Sequence, residues 1–474
     1  MFHKRLVREP GTVFPALLLA VTLTLGGCNT SDEATIGYIQ VIHAVPDAPS
    51  LRVDLDNLVL TSSLAYRNST GLNIELLDSR TETLNLAGIA RLADGASGPV
   101  LIEGEVTMRQ NYETTVVLTG GTDSVQIVQA LTPRRRRPID GLFFQFLHGA
   151  SASGPVDVYS TAPGTDLATT APLATLALGE FTESIEMPFE DQVVTITRAG
   201  TLDPLLVSNT LEFEDNVNEE GDGTEFVMSI IDSVTVGASP VRIVASNGIT
   251  ALELVDSGDS AGLRVIHASP DMPATDVVVG DGFDAPLASS LGYTEASTMT
   301  AVPNGDVNLN FAVPGSTTEF LFEDQVSLPG GIEFNLYLID DFETLRSLTL
   351  ATDRRSIATE SRFRIVNAAP DSGRISIYVT ETANEELTNK NVLVRDLQFG
   401  FGTNYFRLAP DDYFVTITQK FVDEGEDPNK AEEVTIAGPD ALSVAGGDVN
   451  SLVILPPETA GETETFLVYD DLVP

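Results

Sequence analysis

The sequence has little cysteine, tryptophan or positive charge. A single cysteine, Cys28, occurs among 474 residues, so no disulfide can form within the chain. The absence of tryptophan excludes the indole platform on which sugar rings often stack. The sequence also contains no CxxC or HExxH metal motif and no glycine-rich phosphate loop. These absences leave few familiar ways for the chain to hold a metal or a nucleotide.

Basic residues are outnumbered by acidic ones. The chain has 26 Lys and Arg against 69 Asp and Glu, a formal net charge of −43. Such a surface repels phosphate backbones, which excludes nucleic acid as a partner. Because 42% of the residues are hydrophobic, the composition indicates a folded protein rather than an acidic disordered tail. An acidic, well-patterned chain of this kind suits exposure to salt or divalent cations.

The N-terminus has the pattern of an export signal. Lys4, Arg5 and Arg8 precede an apolar stretch at 13–25 that is shorter than the roughly 20 residues of a membrane-spanning helix. A basic head, a short apolar segment and small residues at its end are typical of a secretory signal that is removed on maturation. The prediction is a signal peptide at 1–27 and a tether at 28–36. No other run of the sequence is long and apolar enough to span a membrane.

The end of this segment, Leu25-Gly26-Gly27-Cys28, resembles the lipobox of bacterial lipoproteins. The resemblance implies cleavage before Cys28 and attachment of a diacyl lipid to its thiol, which is sufficient for stable membrane anchoring. Asn29 after the cysteine favours the outer membrane by the same analogy. The alternative is a chance cysteine in an ordinary cleaved signal.

Four segments of the chain repeat one pattern. They are YIQVIHAVPDAPSLRVDL at 38–55, FFQFLHGASASGPVDVYS at 143–160, LRVIHASPDMPATDVVVG at 263–280 and FRIVNAAPDSGRISIYVT at 363–380. A His or Asn recurs in them at His43, His148, His267 and Asn367, with spacings of 105, 119 and 100 residues. A period of this length indicates whole domains rather than the short units of a solenoid.

Each unit continues with short segments in which Val, Ile, Thr, Phe and Tyr alternate with polar residues. This period-2 alternation, punctuated by GG, DG and NG turns, predicts half-buried strands and no long helix. Six to eight strands in about 100 residues predict a β-sandwich. The chain is therefore predicted to be all-β, with four tandem sandwich domains at 37–133, 139–256, 262–353 and 361–474.

The opening segment, HASPDMPATDVVV at His267–Val279, resembles the DUF4397 domain, a family of unknown function common in secreted bacterial proteins. The match is good at His43–Leu55 and Asn367–Val379 and weakest in the second unit, where Ser151 and Ala152 replace the Pro-Asp pair. The resemblance extends over four copies. It implies an immunoglobulin-like sandwich and an exported protein, but no activity.

The repeated His or Asn falls on the apolar face of its strand by residue parity. One interpretation is a buried side chain that hydrogen-bonds the backbone where the chain leaves the sheet, a role that the Asn amide could share. The other is a metal ligand or a catalytic base. One such residue per unit, with no second His or Cys nearby and with Asn in the fourth unit, favours the structural role.

A Pro-Asp pair follows this position in three units, at Pro46 and Asp47, Pro270 and Asp271, and Pro370 and Asp371. Proline cannot donate to a β-ladder and so ends the strand, whereas Asp caps nearby turn amides. The next strand carries Asp54, Asp157 or Asp276, and Ser376 in the unit that lacks the His. This covariation suggests the hypothesis of a His–Asp hydrogen bond inside three of the units.

Two further patterns are candidates for chemistry. Gly258-Asp259-Ser260-Ala261-Gly262 matches the G-x-S-x-G nucleophile elbow of hydrolases, but a strand pattern follows it where the elbow requires a helix. Acidic loops at 214–223 and 422–429 offer oxygen ligands of the kind that calcium prefers, without EF-hand spacing. Asp215, Glu219 and Asp222 are the weak calcium candidates, and no other metal or cofactor is predicted.

Arginines mark two domain boundaries, at Arg134–Arg137 and at Arg354 with Arg355. Between acidic domains they are interpreted as linkers whose guanidinium groups meet carboxylates on the flanking units. The alternatives are contact with an anionic surface near the membrane or a protease-sensitive site. If the linkers are exposed, trypsin should cut there first.

The sequence as a whole predicts a non-catalytic, lipid-anchored protein of the cell envelope that binds, adheres or acts as a spacer. Its predicted partners are the membrane, through the lipid, and an envelope protein or polysaccharide. Two alternatives remain open, an envelope hydrolase with an interdomain site and a calcium-stiffened adhesin stalk.

Overall fold

The computed structural model describes residues 35–76, 80–135, 139–213, 222–234, 237–248, 251–283, 285–421, 432–456 and 465–472. These residues belong to one compact unit, Thr35–Pro474. The predicted signal peptide, Cys28 and the calcium candidates Asp215 and Glu219 lie outside the described residues. Asp222 is the first residue of a strand, but its side chain is not among the described groups.

Sandwich 1 contains eight strands. Its sheets have the orders β4-β1-β7-β8 and β3-β2-β5-β6. The strands are β1 (Ile36–His43), β2 (Leu51–Leu55), β3 (Leu58–Leu64), β4 (Ser69–Glu75), β5 (Thr81–Arg91), β6 (Ser97–Arg109), β7 (Tyr112–Thr119) and β8 (Gln126–Pro133).

Sandwich 2 contains nine strands and a 3-10 turn at Leu167–Thr169. Its sheets have the orders β12-β9-β15-β16-β17 and β11-β10-β13-β14. The strands are β9 (Ile139–His148), β10 (Val156–Thr161), β11 (Ala174–Leu176), β12 (Ile185–Met187), β13 (Val193–Arg198), β14 (Pro204–Val207), β15 (Asp222–Asp232), β16 (Val241–Ser246) and β17 (Ala251–Leu254).

Sandwich 3 contains eight strands and a 3-10 turn at Phe342–Thr344. Its sheets have the orders β21-β18-β24-β25 and β20-β19-β22-β23. The strands are β18 (Ala261–His267), β19 (Thr275–Val279), β20 (Ala288–Leu291), β21 (Thr300–Val302), β22 (Gly305–Ala312), β23 (Phe320–Leu328), β24 (Glu333–Ile339) and β25 (Arg346–Thr352).

Sandwich 4 contains nine strands and a 3-10 turn at Pro370–Ser372. Its sheets have the orders β29-β26-β33-β34, with β30 also paired to β26, and β28-β27-β31-β32. The strands are β26 (Ser361–Asn367), β27 (Arg374–Thr380), β28 (Val392–Gln398), β29 (Phe401–Gly402), β30 (Phe406–Leu408), β31 (Asp411–Phe421), β32 (Glu432–Val444), β33 (Val449–Leu455) and β34 (Thr465–Asp470).

The four sandwiches share one topology. In each, the first strand lies between an antiparallel partner and a parallel one, the parallel partners being β7, β15, β24 and β33. We call the sheet that contains this first strand the front sheet and the other the back sheet. The prediction of an all-β chain of immunoglobulin-like sandwiches is confirmed. Within the described residues, the only helices are the three single 3-10 turns, and none could cross a bilayer.

Each sandwich has its own apolar core between its two sheets. In sandwich 3, for example, Leu263 and Val265 of the front sheet pack against Val277, Leu309 and Phe311 of the back sheet. Burial of each such side chain contributes about 1.5–3 kcal/mol. Alternate residues of the first strand supply these contacts, as their parity predicts.

The opposite face of the first strand differs from the predicted half-buried pattern. All seven residues of β18 and of β26 are buried. The front sheets of sandwiches 1 and 2 pack on each other through residues that include Ile42, Val117 and Val244, and those of sandwiches 3 and 4 through residues that include Ile266 and Val366. Four sandwiches therefore form two face-to-face pairs.

Candidate functional site

The His43 ring is held at the end of β1 by two backbone groups. The Val45 amide donates to Nδ1 at 3.2 Å, and Nε2 lies 3.0 Å from the Pro49 carbonyl oxygen. Because Nδ1 accepts a hydrogen bond, the proton is on Nε2, which donates to Pro49. The side chain is fully buried. A neutral ring therefore closes the turn between β1 and β2.

The corresponding His or Asn of the other three units makes similar contacts with the backbone, with small differences. His148 accepts from the Ala150 amide at 3.3 Å, and its Nε2 is 2.8 Å from the Gly154 carbonyl oxygen. Nε2 of His267 is 3.4 Å from Pro273 O, and its Nδ1 has no hydrogen-bond partner within the described residues. The Asn367 amide oxygen replaces Nδ1 by accepting from the Ala369 amide at 3.2 Å. An acceptor for the amide two residues ahead is thus common to three of the four sites.

Burial keeps these rings neutral. It lowers the pKa of His43 to about 4, against a smaller raising effect of the hydrogen bond to Pro49. Burial also lowers the pKa of His148 and of His267. A neutral, hydrogen-bonded ring that is closed off from solvent is poorly placed to bind a substrate or exchange protons with it.

The hypothesis of a His–Asp hydrogen bond is wrong. Asp157 and Asp276 instead accept from amides of back-sheet turns, Gly200 at 2.7 Å and Gly315 at 2.9 Å. Asp54 pairs with Arg52 at 2.8 Å, and the Ser376 hydroxyl is buried without a partner within the described residues. The ring N–H at Nε2 of each histidine is directed at a backbone carbonyl, so none remains for a carboxylate.

In sandwiches 1 and 3, the aspartate of the Pro-Asp pair hydrogen-bonds the strand exit to a turn of the same sandwich. Asp47 accepts from the Thr122 amide at 2.9 Å and from the Thr122 hydroxyl at 2.7 Å, and Asp271 accepts from the Phe342 amide at 2.8 Å. Sandwich 2 lacks the pair, and there the direction is reversed. The amide of Ser151, after the first strand, donates to the carboxylate of Asp232 at the end of β15 at 2.9 Å.

The remaining members of the motif have simpler positions. Pro46 lies after β1, and its carbonyl accepts from Arg355 at 3.2 Å. Pro270 lies in the bend after β18, and Pro370 and Asp371 begin a 3-10 turn.

The G-x-S-x-G sequence has no helix behind it. Ala261 and Gly262 already belong to β18, and the carboxylate of Asp259 is buried, accepting from the amides of Ala238 and Ser239 at 2.9 and 3.0 Å. The segment is thus a hydrogen-bonded connection between sandwiches 2 and 3. It lacks the strand-to-helix turn that a nucleophile elbow needs.

No cluster of metal-ligating side chains was found. Across the described ranges, no group of three or more His, Cys, Asp or Glu residues could hold a metal ion. The acidic loops proposed to bind calcium lie almost wholly outside those ranges, so calcium binding stays a prediction.

The four described arginines at the domain boundaries make contacts with neighbouring side chains rather than being freely exposed. Arg134 stacks over Tyr38 and Arg135 over Phe143, with Glu225 3.4 Å from Arg135. Arg354 pairs with Glu333 at 3.4 Å, and Arg355 forms a fork with Asp353 at 3.0 Å. Arg136 and Arg137 lie outside the described residues. Early trypsin cleavage is therefore not expected at Arg354 or Arg355.

Sequence reasoning missed a buried charge network between sandwiches 3 and 4. Asp471, fully buried, accepts from Asn335 at 2.7 Å, Ser451 at 2.6 Å and Tyr405 at 2.7 Å. Arg264 and Arg364 lie 3.5 and 3.9 Å from its oxygens. An arginine in the middle of an otherwise apolar strand was the available signal, because a charge there must be paired if the face is buried.

A cavity of about 950 Å³ lies where all four sandwiches meet. Sandwich 1 contributes Arg67, sandwich 2 Glu253, sandwich 3 Gly330 and sandwich 4 Tyr405. Its basic lining residues are Arg67, Arg242, Arg354, Arg355 and Arg362, and its acidic ones are Glu253, Asp256, Glu333 and Asp353. The cavity thus gathers five of the 26 basic residues of a strongly acidic chain.

Two carboxylates of the cavity, Glu333 and Asp353, have pKa values shifted in opposite directions. Burial raises the pKa of Glu333, and Arg354 only partly offsets it. Burial also opposes ionisation of Asp353, but Arg355 and Arg362 outweigh it and hold the pKa of that group well below its usual range. Asp353 is therefore a firmly ionised partner of two guanidinium groups.

Arg67 is held in a left-handed backbone conformation, with φ of 64°. Its amide donates to the His43 carbonyl, and the corresponding amides of Gly179, Thr294 and Gly400 donate to the carbonyls of the repeated His or Asn. All four residues have positive φ, and two of them are glycine, which adopts this conformation without steric cost. Arginine at this turn costs roughly 1 kcal/mol or more of backbone strain.

Comparisons with known proteins were made for the sequence and for the fold. A family model described as "Domain of unknown function (DUF4397)" matches residues 37–159 and 261–378, about half of the chain. Each matched region covers sandwich 1 or 3 and the first two strands of the sandwich that follows. Residues 160–260 and 379–474 are not matched, so the model does not extend over the four full copies that the sequence pattern predicts. A search of the curated proteins finds no match.

Two solved structures are weakly similar to the chain. The Bacillus anthracis TIE protein is 9% identical over 90% of this chain and 69% of its own, with a TM-score of 0.16. A structure titled "Alpha-glucan binding by a streptococcal virulence factor" is 10% identical over 41% of this chain and 93% of its own, with a TM-score of 0.15. These scores are too low to bear on the fold or function of this chain.

Proposed function

Since the chain belongs to the DUF4397 family, a domain of unknown function, we propose from its geometry that it is a non-catalytic binding protein, and from the lipobox-like sequence Leu25–Cys28 that it is lipid-anchored in the cell envelope. The observation that carries this proposal is the cavity to which all four sandwiches contribute side chains. Binding sites are commonly concave and form where domains meet. Repeated domains that acted independently would not require a cavity lined by all four of them.

The repeated histidines support a non-catalytic role. They are the residues that recur from unit to unit, and Nε2 of each ring lies within hydrogen-bond distance of a backbone carbonyl of its own sandwich. Their recurrence is explained by the turn that they close.

Contacts between non-neighbouring sandwiches argue against the adhesin stalk. In a stalk, each repeat contacts only the next one. Here Arg407 of sandwich 4 donates to the Arg91 carbonyl of sandwich 1, and Arg355 donates to the Pro46 carbonyl of sandwich 1. The first and last units are thereby joined, which suits a site shared by all four sandwiches better than an extended spacer.

The anchor is tested by Cys28→Ser. The unchanged protein should incorporate labelled palmitate and partition into the detergent phase, because two acyl chains hold a protein to a bilayer. The variant should do neither, whereas Thr30→Ala should behave like the unchanged protein. Lipid label on the serine variant would contradict the anchor at Cys28.

Binding at the cavity is tested with the mature protein, residues 28–474, against neutral glucans, acidic sugars, peptidoglycan fragments and phospholipid headgroups. We expect at least one class to raise the melting temperature, since a ligand that binds only the folded state stabilises it. Ala351→Trp should abolish the effect, because Ala351 is exposed on the cavity wall and an indole there occupies the space.

The matched control is Ala251→Trp, another exposed strand alanine that does not line the cavity. It should leave binding unchanged. If no class shifts the melting temperature, or if Ala351→Trp binds as well as the unchanged protein, the cavity is not the binding site.

A further inference from the structure

We infer that the cavity binds an acidic sugar, which presents one carboxylate to the arginines and its hydroxyl groups to the surrounding polar residues. This inference rests on the proposed function, since it names the ligand of the same cavity. It is carried by the charge of the lining, by the conformation of Arg67 and by the unpaired amides at the rim.

The cavity differs in charge from the rest of the molecule. Its lining has five arginines against four carboxylates, whereas the chain as a whole carries −43. Guanidinium groups bind carboxylates and phosphates through paired, charge-assisted hydrogen bonds. A small positive excess within an acidic surface also focuses the field, so an anion is drawn to this place rather than to the outer surface.

Arg67 is the arginine most open to a ligand. Its side chain is 24% exposed, more than those of Arg354, Arg355, Arg362 and Arg242 in the cavity. Of its guanidinium nitrogens, Nη1 pairs with Glu253 of sandwich 2. The corresponding turns of sandwiches 2 and 4 use glycine, which relieves the strain of a positive φ. Arginine at this position therefore carries a backbone strain that glycine would avoid.

The rest of the lining suits hydroxyl groups better than an aromatic or aliphatic body. Asn209 and Asn404 are exposed at the cavity, and neither amide makes a side-chain hydrogen bond within the described residues. The aromatic ring of the lining, Tyr405, already lies against the guanidinium groups of Arg362 and Arg364. A nucleobase would find no free aromatic face here, whereas sugar hydroxyls would find amide donors and acceptors.

A carboxylate fits the charge of the cavity better than a phosphate does. The excess of one positive charge is neutralised by a single carboxylate. A phosphate monoester carries close to two negative charges at neutral pH and would leave the cavity negative. The lining already contains one arginine that binds a carboxylate through paired hydrogen bonds. Arg355 donates to both carboxylate oxygens of Asp353 at 3.0–3.1 Å.

Isothermal titration of residues 28–474 with cellobiouronate, a disaccharide with one glucuronate, tests the inference. Cellobiose, its neutral counterpart, should bind at least about tenfold more weakly, as expected for loss of a charge-assisted hydrogen bond. Glucose 6-phosphate and inorganic phosphate should also bind more weakly than cellobiouronate. Affinity should fall as salt is raised.

Two substitutions are expected to act in opposite directions. Arg67→Gly keeps the backbone conformation and removes the guanidinium, so it should weaken cellobiouronate binding at least about tenfold. Glu253→Gln removes the carboxylate that competes for Arg67 and Arg242, so it should tighten binding. Thr294→Gly changes the corresponding turn of sandwich 3, away from the cavity lining, and should leave affinity unchanged.

The outcomes separate this inference from the proposed function. If cellobiose or a phosphate binds as tightly as cellobiouronate and Ala351→Trp abolishes that binding, the cavity is a binding site but the acidic-sugar inference is wrong. If Glu253→Gln weakens binding as much as Arg67→Gly does, the ion pair only shapes the cavity, and the arginine does not hold the ligand. If none of these compounds binds, and if none of the four ligand classes raises the melting temperature, both proposals fail.

Discussion

Replacing Asp471 with alanine is expected to lower the free energy of unfolding by about 3–5 kcal/mol, the usual cost of removing one partner from a buried ion pair. The substitution leaves the guanidinium groups of Arg264 and Arg364 buried without their carboxylate, and it removes the acceptor for Asn335, Ser451 and Tyr405. Urea denaturation of residues 28–474 measures the effect. Because the network joins sandwiches 3 and 4, we also expect the two to lose cooperativity with each other.

Asp470→Ala is the matched control. Asp470 is the preceding residue and is exposed, so its replacement should change stability by less than about 0.5 kcal/mol. Asp471→Asn should fall between the two, because the amide keeps one acceptor oxygen but loses the charge. Equal stability of the Asp470 and Asp471 alanine variants would show that the network contributes nothing to the fold.

A second large effect is expected from His43 and depends on pH. The ordinary pKa of 6.5 applies to the unfolded chain, and burial lowers the folded value to about 4. The folded state therefore disfavours the proton, so the stability from the neutral ring is fully present above pH 6.5 and is lost as the pH falls toward 4. By linkage, the loss amounts to roughly 3 kcal/mol.

His43→Asn separates this effect from the titration of the many carboxylates, which is common to both proteins. Asn367 shows that an amide can occupy the corresponding position in sandwich 4. We expect the asparagine variant to be less stable than the unchanged protein at pH 7 and to lose this disadvantage as the pH approaches 4. A stability difference that stays constant from pH 7 to pH 4 would mean that His43 is not held neutral by the fold.

The sequence pattern was sufficient for the sandwiches because it is local. Alternation along a strand assigns its inward face, and it places Leu263 and Val265 together in the core correctly. The strand exits are also readable, since Pro46 and Asp47 act through contacts within their own sandwich. These features require only residues that are close in the chain or that repeat between units.

The outer face of the first strand could not be assigned in this way. Ile266 and Ala268 are apolar, which indicated burial, but Arg264 on the same face indicated solvent. The conflict is resolved by Asp471, more than 200 residues away in the chain, and no local pattern connects the two. The cavity was missed for the same reason, because its lining comes from all four units. The His–Asp hypothesis failed because covariation over four copies does not distinguish a hydrogen bond from two independent losses.

The face-to-face packing of the front sheets bears on how such chains can grow. A solitary sandwich would present Ile42 and Val117, or their counterparts, to water, and a third copy without a fourth would do the same. Exposed apolar sheet faces promote association between molecules. We therefore expect these sandwich domains to be duplicated or deleted in pairs, so that related chains contain an even number of domains more often than an odd number.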